Sequence, residues 1–516
     1  MIVRQDDQNT NIDDIIDIGI SDHSLIIGTI QVKKPSPTKQ IVSFRKYRHV
    51  NPVCVASDIT ESRLAENVST HSNIDNKLKC FSDTISRIVD KHTPLVAKVV
   101  TICPSLGWYT QKIRQIKRDC RRAEKKVRRT KSEKDKKTYK SLRNSLNHHL
   151  WEAKRDWVAQ RTEAAGNNTK EVYKIINSLT KLERRNDFPD TMSDTECANE
   201  FTCFFSEKIE KIRENLQMPA KKHFAEERVD VMSSMQSFES TTPAEIRKVI
   251  MSSPNKTCQL DVIPTILLKS EPVLDTVTTC ISDIINESIA SGNVPSVFKE
   301  AIVTPLLKKN LDTNELQNYR PVSNLSFISK CLEKVVAVRI KEHLNRTGSY
   351  DKFQSAYKSG HSTETALLRV HSDICVALDK GMVVLLVLLD LSAAFDTIDH
   401  HILINRLSTL GFGGIVTRWV LSYLQNRFQR VKVNESMSMA TKLPYGVPQG
   451  SVLGPLLFTI YILPLSKIIE KHGIQHHIYA DDTQLYVACK PEDINSNCRV
   501  LESCISDIKQ LMDTTI

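Results

Sequence analysis

"HHIYADDTQLYVA", residues 476–488, decides how this chain is read. Two short runs of β-prone residues flank the adjacent acids Asp481 and Asp482. Successive side chains on a strand point to opposite faces, so both carboxylates reach one site only from a tight turn. Asp tolerates turn positions. The stretch therefore predicts a β-hairpin with two carboxylates at its tip. A solvated turn accounts for one acid, whereas a pair invites a cation.

A second stretch supplies the missing partner. The apolar run "MVVLLVLL" at 382–389 ends abruptly in Asp390. Its composition predicts a strand buried on both faces. An unpaired interior carboxylate is costly, so Asp390 needs a role. Either it caps the helix that follows, or it sits at the strand's carboxyl end as a cation ligand. Beside the hairpin it would complete a trio of acids, and like charges ~4 Å apart repel by ~4 kcal/mol at an effective dielectric of about 20. Hard oxygen donors of this kind suit Mg²⁺. Two such ions about 3.5–4 Å apart serve in-line phosphoryl displacement, so the implied reaction is nucleotidyl transfer.

Composition narrows the field. The 516 residues are 40% hydrophobic and 25% charged, enough for roughly three globular domains. The run at 382–389 is far shorter than the roughly 20 residues of a membrane span, so no membrane partner is expected. The start, "MIVRQDDQNTNIDD", lacks the basic flank and apolar core of a signal peptide, and the 13 cysteines form no C-x-x-C. An intracellular protein of nucleus or cytoplasm is expected, with reduced thiols.

Charge is concentrated in one place. From Lys112 to Arg161 there are 19 Lys and Arg against 6 Asp and Glu, which exceeds the net +11 of the whole chain. This segment has no Gly or Pro and predicts a long surface helix or helical hairpin. A solvated charge-laced face is the plain reading. With Tyr139, Trp151 and Trp157 interleaved, the excess favours a phosphate-binding stripe for nucleic acid. Beyond residue 242, capped helices alternate with strands, an α/β or α+β arrangement.

Six ordered stretches now carry a resemblance. "LLDLSAAFDTIDH", "LPYGVPQGSVLGPLLF" and "YADD" resemble the palm motifs of reverse transcriptases of LINE-like non-LTR retrotransposons. Upstream, "SGNVPSVFKEAIVTPLLKKN", "NYRPVSNLSFISKCLEKVV" and "FQSAYKSGHSTETAL" resemble the finger motifs of the same group. The resemblance spans residues 242–489 and implies an α+β fold of right-hand polymerase fingers and palm, preceded by a basic helical region. It implies Asp390, Asp481 and Asp482 as the metal-binding triad, with the Leu391 carbonyl as a further ligand for two Mg²⁺ or Mn²⁺ ions. Phe395 matches the family's sugar gate, a ring that would clash with a ribose 2′-hydroxyl. Gln449 and Gly450 match positions against the incoming nucleotide and templating base, while Lys308, Lys309 and Arg320 match cations on the triphosphate. RNA template, DNA primer, dNTP and a ribonucleoprotein with the element RNA are the implied partners. Asp396, six residues past Asp390, is similar to an acid that reads the 2′-hydroxyl in RNA-dependent RNA polymerases, but Phe395 and "PQG" favour the reverse transcriptase.

The remaining segments follow from the same resemblance. "SDHSLIIGTI" at 21–30 resembles the end of an apurinic-type endonuclease, with Asp22 and His23 as a relic of its site and no nicking activity expected. The domains read as an endonuclease remnant at 1–30, an irregular linker at 31–110, a basic helical region at 111–165, a helical connector at 166–241, and the reverse transcriptase at 242–516. A thumb is not recognised after the palm. The expected activity is RNA-directed DNA polymerisation, and the alternative is a truncated remnant that only binds nucleic acid.

Overall fold

The computed structural model describes residues 39–101, 108–166, 192–215, 234–308, 311–391 and 393–515, with the strands Thr10–Ile16 and Leu25–Ile30 and a few positions between 168 and 189. The chain divides into two compact units, residues 46–94 with 184–516 and residues 1–45 with 95–183.

In the smaller unit the basic segment folds as the helices Gln111–Thr130 and Glu133–Ala165, packed on each other across the joint at Lys131 and Ser132. Lys131 takes a left-handed conformation (φ 51°) that breaks the helix. The first helix buries only Ile113 and Cys120, and the second buries nothing. Such a hairpin rests on helix propensity and its own ion pairs, such as Arg128 with Glu124 at 2.7 Å. Strands Lys39–Phe44 and Val96–Thr101 pair antiparallel in the same unit.

Among the described residues the larger unit holds two sheets, the palm sheet packed on the main core and the finger sheet on a smaller core of its own. The finger sheet runs in the order Thr441–Leu443, Arg427–Val433, Glu300–Leu307, Tyr319–Asn324, with the central pair parallel. The palm sheet runs Gln475–Tyr479, Asp482–Cys489, Val383–Leu389, all antiparallel. Leu385, Val387 and Leu389 turn toward the main core with Leu485 and the apolar helix Leu453–Tyr461.

Three expectations need correction. The strand Val383–Leu389 is not buried on both faces, because its outer face is only partly covered. The helix Thr363–Asp379 crosses its outer face above Tyr486, whose hydroxyl donates to Asp373 at 2.6 Å, and leaves Leu386 and Leu388 45% and 68% exposed. Much of the span 31–110, expected as an irregular linker, is helical. Leu78, Phe81, Ile85 and Ile88 recur at helical spacing on Ile74–His92, and with Val55 and Ile59 of Pro52–Glu61 they enter the main core. Full burial of such side chains contributes roughly 1.5–3 kcal/mol each. Within 166–241, the helix Asp194–Asn215 is more than a connector. It sets Phe201 and Phe205 against Val303, Tyr319 and Val431 as a second core on the finger sheet, with the Phe201 and Tyr319 rings 4.8 Å apart.

The stretch 453–471 is long and apolar enough for a membrane span. It is split into Leu453–Tyr461 and Leu463–Lys471, with Pro464 opening the second helix, and most of it is buried in the protein core.

Candidate active site

The hairpin at the free end of the palm sheet is tight. Tyr479 pairs with Asp482, so the loop is only Ala480 and Asp481. Two-residue hairpin loops match the twist of their strands only with positive φ, a place where glycine is usual. Here Ala480 supplies it, at φ 59°. Leu389 pairs with Thr483, and the next step of that register sets Asp390 beside Asp482. Asp390 does not cap a helix. The following helix, His400–Thr409, is capped by Asp399, whose carboxylate accepts from the His401 and Ile402 amides.

The acids sense one another. Burial pushes the Asp481 carboxyl above its usual range, the Asp482 and Asp390 charges push it the same way, and Arg320 opposes them. Arg320 thus reaches the site electrostatically from the exposed side of the finger strand Tyr319–Asn324. Among the described residues no three His, Cys, Asp or Glu side chains close into a ready-made metal cage. The donor set is all carboxylate, and its mutual repulsion suits a hard divalent cation that keeps water and substrate oxygens in its shell. Metal and residues therefore fit as an open site.

The Gly/Pro loop is strapped to both neighbours. The Gly446 amide donates to the Ile398 carbonyl (2.8 Å), and the Val447 amide donates to the Phe395 carbonyl (2.8 Å). A Cβ on Gly446 would lie 2.7 Å from the Asp396 backbone, so the close approach demands glycine. On the other side the Ser323 amide donates to the Gln449 carbonyl at 2.7 Å, and a Cβ on Gly450 would strike the Ser323 carbonyl at 2.6 Å. Gln449 and Gly450 are thereby fixed between the finger strand and the turn after Asp390. Phe395 packs at 4.9 Å from Phe458 and stays partly exposed.

Asp396 is a positioning acid, not one of the trio. Its carboxylate accepts from the Gln449 amide nitrogen at 2.7 Å, and burial pushes its carboxyl up to about 7. Asp399 pairs with Arg213 at 3.2 Å, while the Arg213 guanidinium stacks 3.7 Å over the Tyr445 ring. Lys308 is exposed on the finger sheet beyond Leu307. Lys309, Asp22 and His23 lie outside the described residues.

Several supports carry little sequence signal. Glu333, fully buried on the helix Phe327–Arg346, accepts from the Val452 and Leu453 amides (2.6 and 3.1 Å) and anchors the helix that follows the Gly/Pro loop. An acid inside the apolar stretch "CLEKVV" was the available hint. Gln354 and Ser323 act through backbone contacts, which residue spacing does not reveal.

A palm sheet ending in three acids is joined through a glycine loop to a finger sheet, an α+β fingers-and-palm architecture. Residues 306–513 match the family "Reverse transcriptase (RNA-dependent DNA polymerase)". Among curated proteins, the chain is 32% identical over 223 residues to the probable RNA-directed DNA polymerase from transposon X-element of Drosophila melanogaster, covering 42% of this chain and 24% of that one. It is 30% identical over 259 residues to the corresponding protein from transposon BS of the same fly, covering 49% and 28%. To the RNA-directed DNA polymerase from its mobile element jockey it is 28% identical over 213 residues, covering 40% and 23%. The chain thus matches about a quarter of the length of these relatives. Residues 306–513 are similar to the reverse transcriptase family and to the polymerases of these mobile elements.

Proposed function

We propose that this chain carries RNA-directed DNA polymerase activity, extending a DNA primer on an RNA template. The observation that carries it is the strand register that brings Asp390 beside Asp482, with Asp481 in the adjoining two-residue loop. In the reaction the primer 3′-hydroxyl attacks the α-phosphate of a dNTP and pyrophosphate leaves. Asp390, Asp481, Asp482 and the Leu391 carbonyl would hold divalent ions, Mg²⁺ or Mn²⁺. Bound there, such ions supply charge stabilisation to the attacking and leaving oxygens.

The chain's own residues do the selecting. Phe395, anchored on Phe458, blocks a 2′-hydroxyl and so favours deoxynucleotides. Gln449, steadied by Asp396 and Ser323, faces the nucleotide. Arg320 and Lys308 contact the triphosphate, Arg as a fork and Lys as a point charge. The basic hairpin 111–165 binds the RNA backbone, in a ribonucleoprotein with the element RNA. The Asp22 and His23 pair reads as a relic of an endonuclease, testable by abasic-site nicking.

Primer extension on an RNA template with Mg²⁺ and dNTPs tests the central reading. Activity is expected, and it is abolished in Asp481→Ala with Asp482→Ala. RNA binding without any extension would leave a nucleic-acid-binding remnant instead.

A further inference from the structure

The left-handed Ala480 needs something to hold it, because crowding of its Cβ against the backbone disfavours that region for alanine. The holder comes from far away in sequence. Gln354 lies in the finger motif "FQSAYKSG", 126 residues before Ala480, and only 4% of its surface is exposed. Its Oε1 accepts from the Ala480 amide at 2.9 Å, and its Nε2 donates to the Ala480 carbonyl at 3.2 Å. Oε1 also accepts from the Ala356 amide at 2.9 Å, which fixes the amide orientation. A flipped amide would set donor against donor and acceptor against acceptor.

The backbone around Gln354 is stitched to the same strand. The Ile478 amide donates to the Phe353 carbonyl and the Ser355 amide donates to the Ile478 carbonyl, both at 2.9 Å. The Ser355 hydroxyl meets His477 Nε2, also at 2.9 Å. Gln354 thus grips both polar backbone groups of the one residue that precedes the two acids.

We propose that Gln354 is a positioning residue for nucleotidyl transfer: its carboxamide locks Ala480 in the left-handed conformation and so sets the direction of Asp481 and Asp482. The inference rests on the polymerase reading above. It assigns to the finger motif the task of clamping the catalytic turn. Strained backbone persists at functional sites only where its surroundings over-determine it, and Gln354 is that surrounding.

The test replaces the clamp and then removes the need for it. Gln354→Met keeps the volume and loses all three hydrogen bonds, while Ala480→Gly makes the left-handed turn intrinsically accessible. Thermal unfolding, Mn²⁺ binding by electron paramagnetic resonance and primer extension are measured on the same preparations. Gln354→Met is expected to lose about a hundredfold in kcat, as misplacement of reacting groups by about 1 Å does, with KM for the primer-template unchanged. Its Mn²⁺ affinity falls as well. Adding Ala480→Gly to Gln354→Met is expected to return most of the lost rate and metal affinity. Rescue of this kind would not follow from a merely structural role.

Gln354→Met that equals wild type in rate and Mn²⁺ binding overturns the proposal, and so does a folded double variant with no rescue. If Gln354→Met does not fold, Gln354→Glu carries the same comparison, since it retains the acceptor and loses the donation to the Ala480 carbonyl. A wild-type chain that neither binds Mn²⁺ nor extends a primer removes the polymerase reading, and this inference with it.

Discussion

The catalytic hairpin and the basic helical hairpin are both two-element turns rich in charge, yet they handle it in opposite ways. At 475–489 the acids sit on a turn clamped by buried partners, and Asp481 feels burial and two like charges. At 111–165 the charges are spread over helices that bury almost nothing, and their ion pairs are local and exposed, as between Lys136 and Glu133. A chemical site needs position, so it is built from contacts distant in sequence. An electrostatic surface needs only density, so helix propensity suffices. The first should respond to single atoms and the second to salt.

The largest expected effect lies on the basic side. RNA affinity of the chain should fall on the order of a thousandfold between 50 and 200 mM salt, read by filter binding, if six or more phosphates are contacted. Each of Arg121, Arg122 or Arg129 changed to Ala should reduce the salt slope by about one and leave the dNTP dependence of extension alone. An affinity indifferent to salt would break the contrast between the two hairpins.

The next effect falls on the catalytic side. Phe395→Ala should raise ribonucleotide incorporation relative to deoxynucleotide by roughly tenfold or more, with the RNA salt slope unchanged. Single-nucleotide extension with rNTP and dNTP checks it. An unchanged ratio would reduce Phe395 to a core ring leaning on Phe458.

The smallest effect sharpens the comparison through pH. Burial raises the Asp396 carboxyl to about 7, above its unfolded value near 3.8. The stability linked to its protonated form is therefore complete below about pH 4 and is lost as pH rises through about 7. Relative to Asp396→Asn, the wild-type melting temperature should decline by a few degrees across that window and then level off. A parallel pair of melting curves would mean that the Gln449 hydrogen bond and the Lys208 charge, which both oppose the rise, hold the carboxylate charged throughout.

How much of this was legible follows from the range of the interactions. Asp481 and Asp482 between β-prone runs, Asp390 at the end of an apolar run, and the glycines of "YGVPQG" are local patterns, and the structure gathers them around one turn and one loop. The strand 383–389 misled because an apolar run does not show whether a layer covers its second face. The helices within 52–92 were hidden because the Lys/Pro/Ser stretch "KKPSPTK" at 33–39 reads as a linker, although their apolar residues recur at helical spacing. Gln354 and Ser323 were invisible and Glu333 left only the hint of an acid in an apolar stretch, because each works on backbone groups more than 100 residues away and no spacing rule reaches so far.

The separation of Gln354 from Ala480 also bears on the order of assembly. Contacts between sequence-distant segments form late, since loop-closure entropy must be met before they contribute. The turn that crowds Asp481 against Asp482 and Asp390 is completed only when the segment around Gln354 docks along the strand Gln475–Tyr479. The acid cluster thus carries a loop-closure cost of its own, since both Gln354 and Asp390 reach the turn only by closing a long loop of chain.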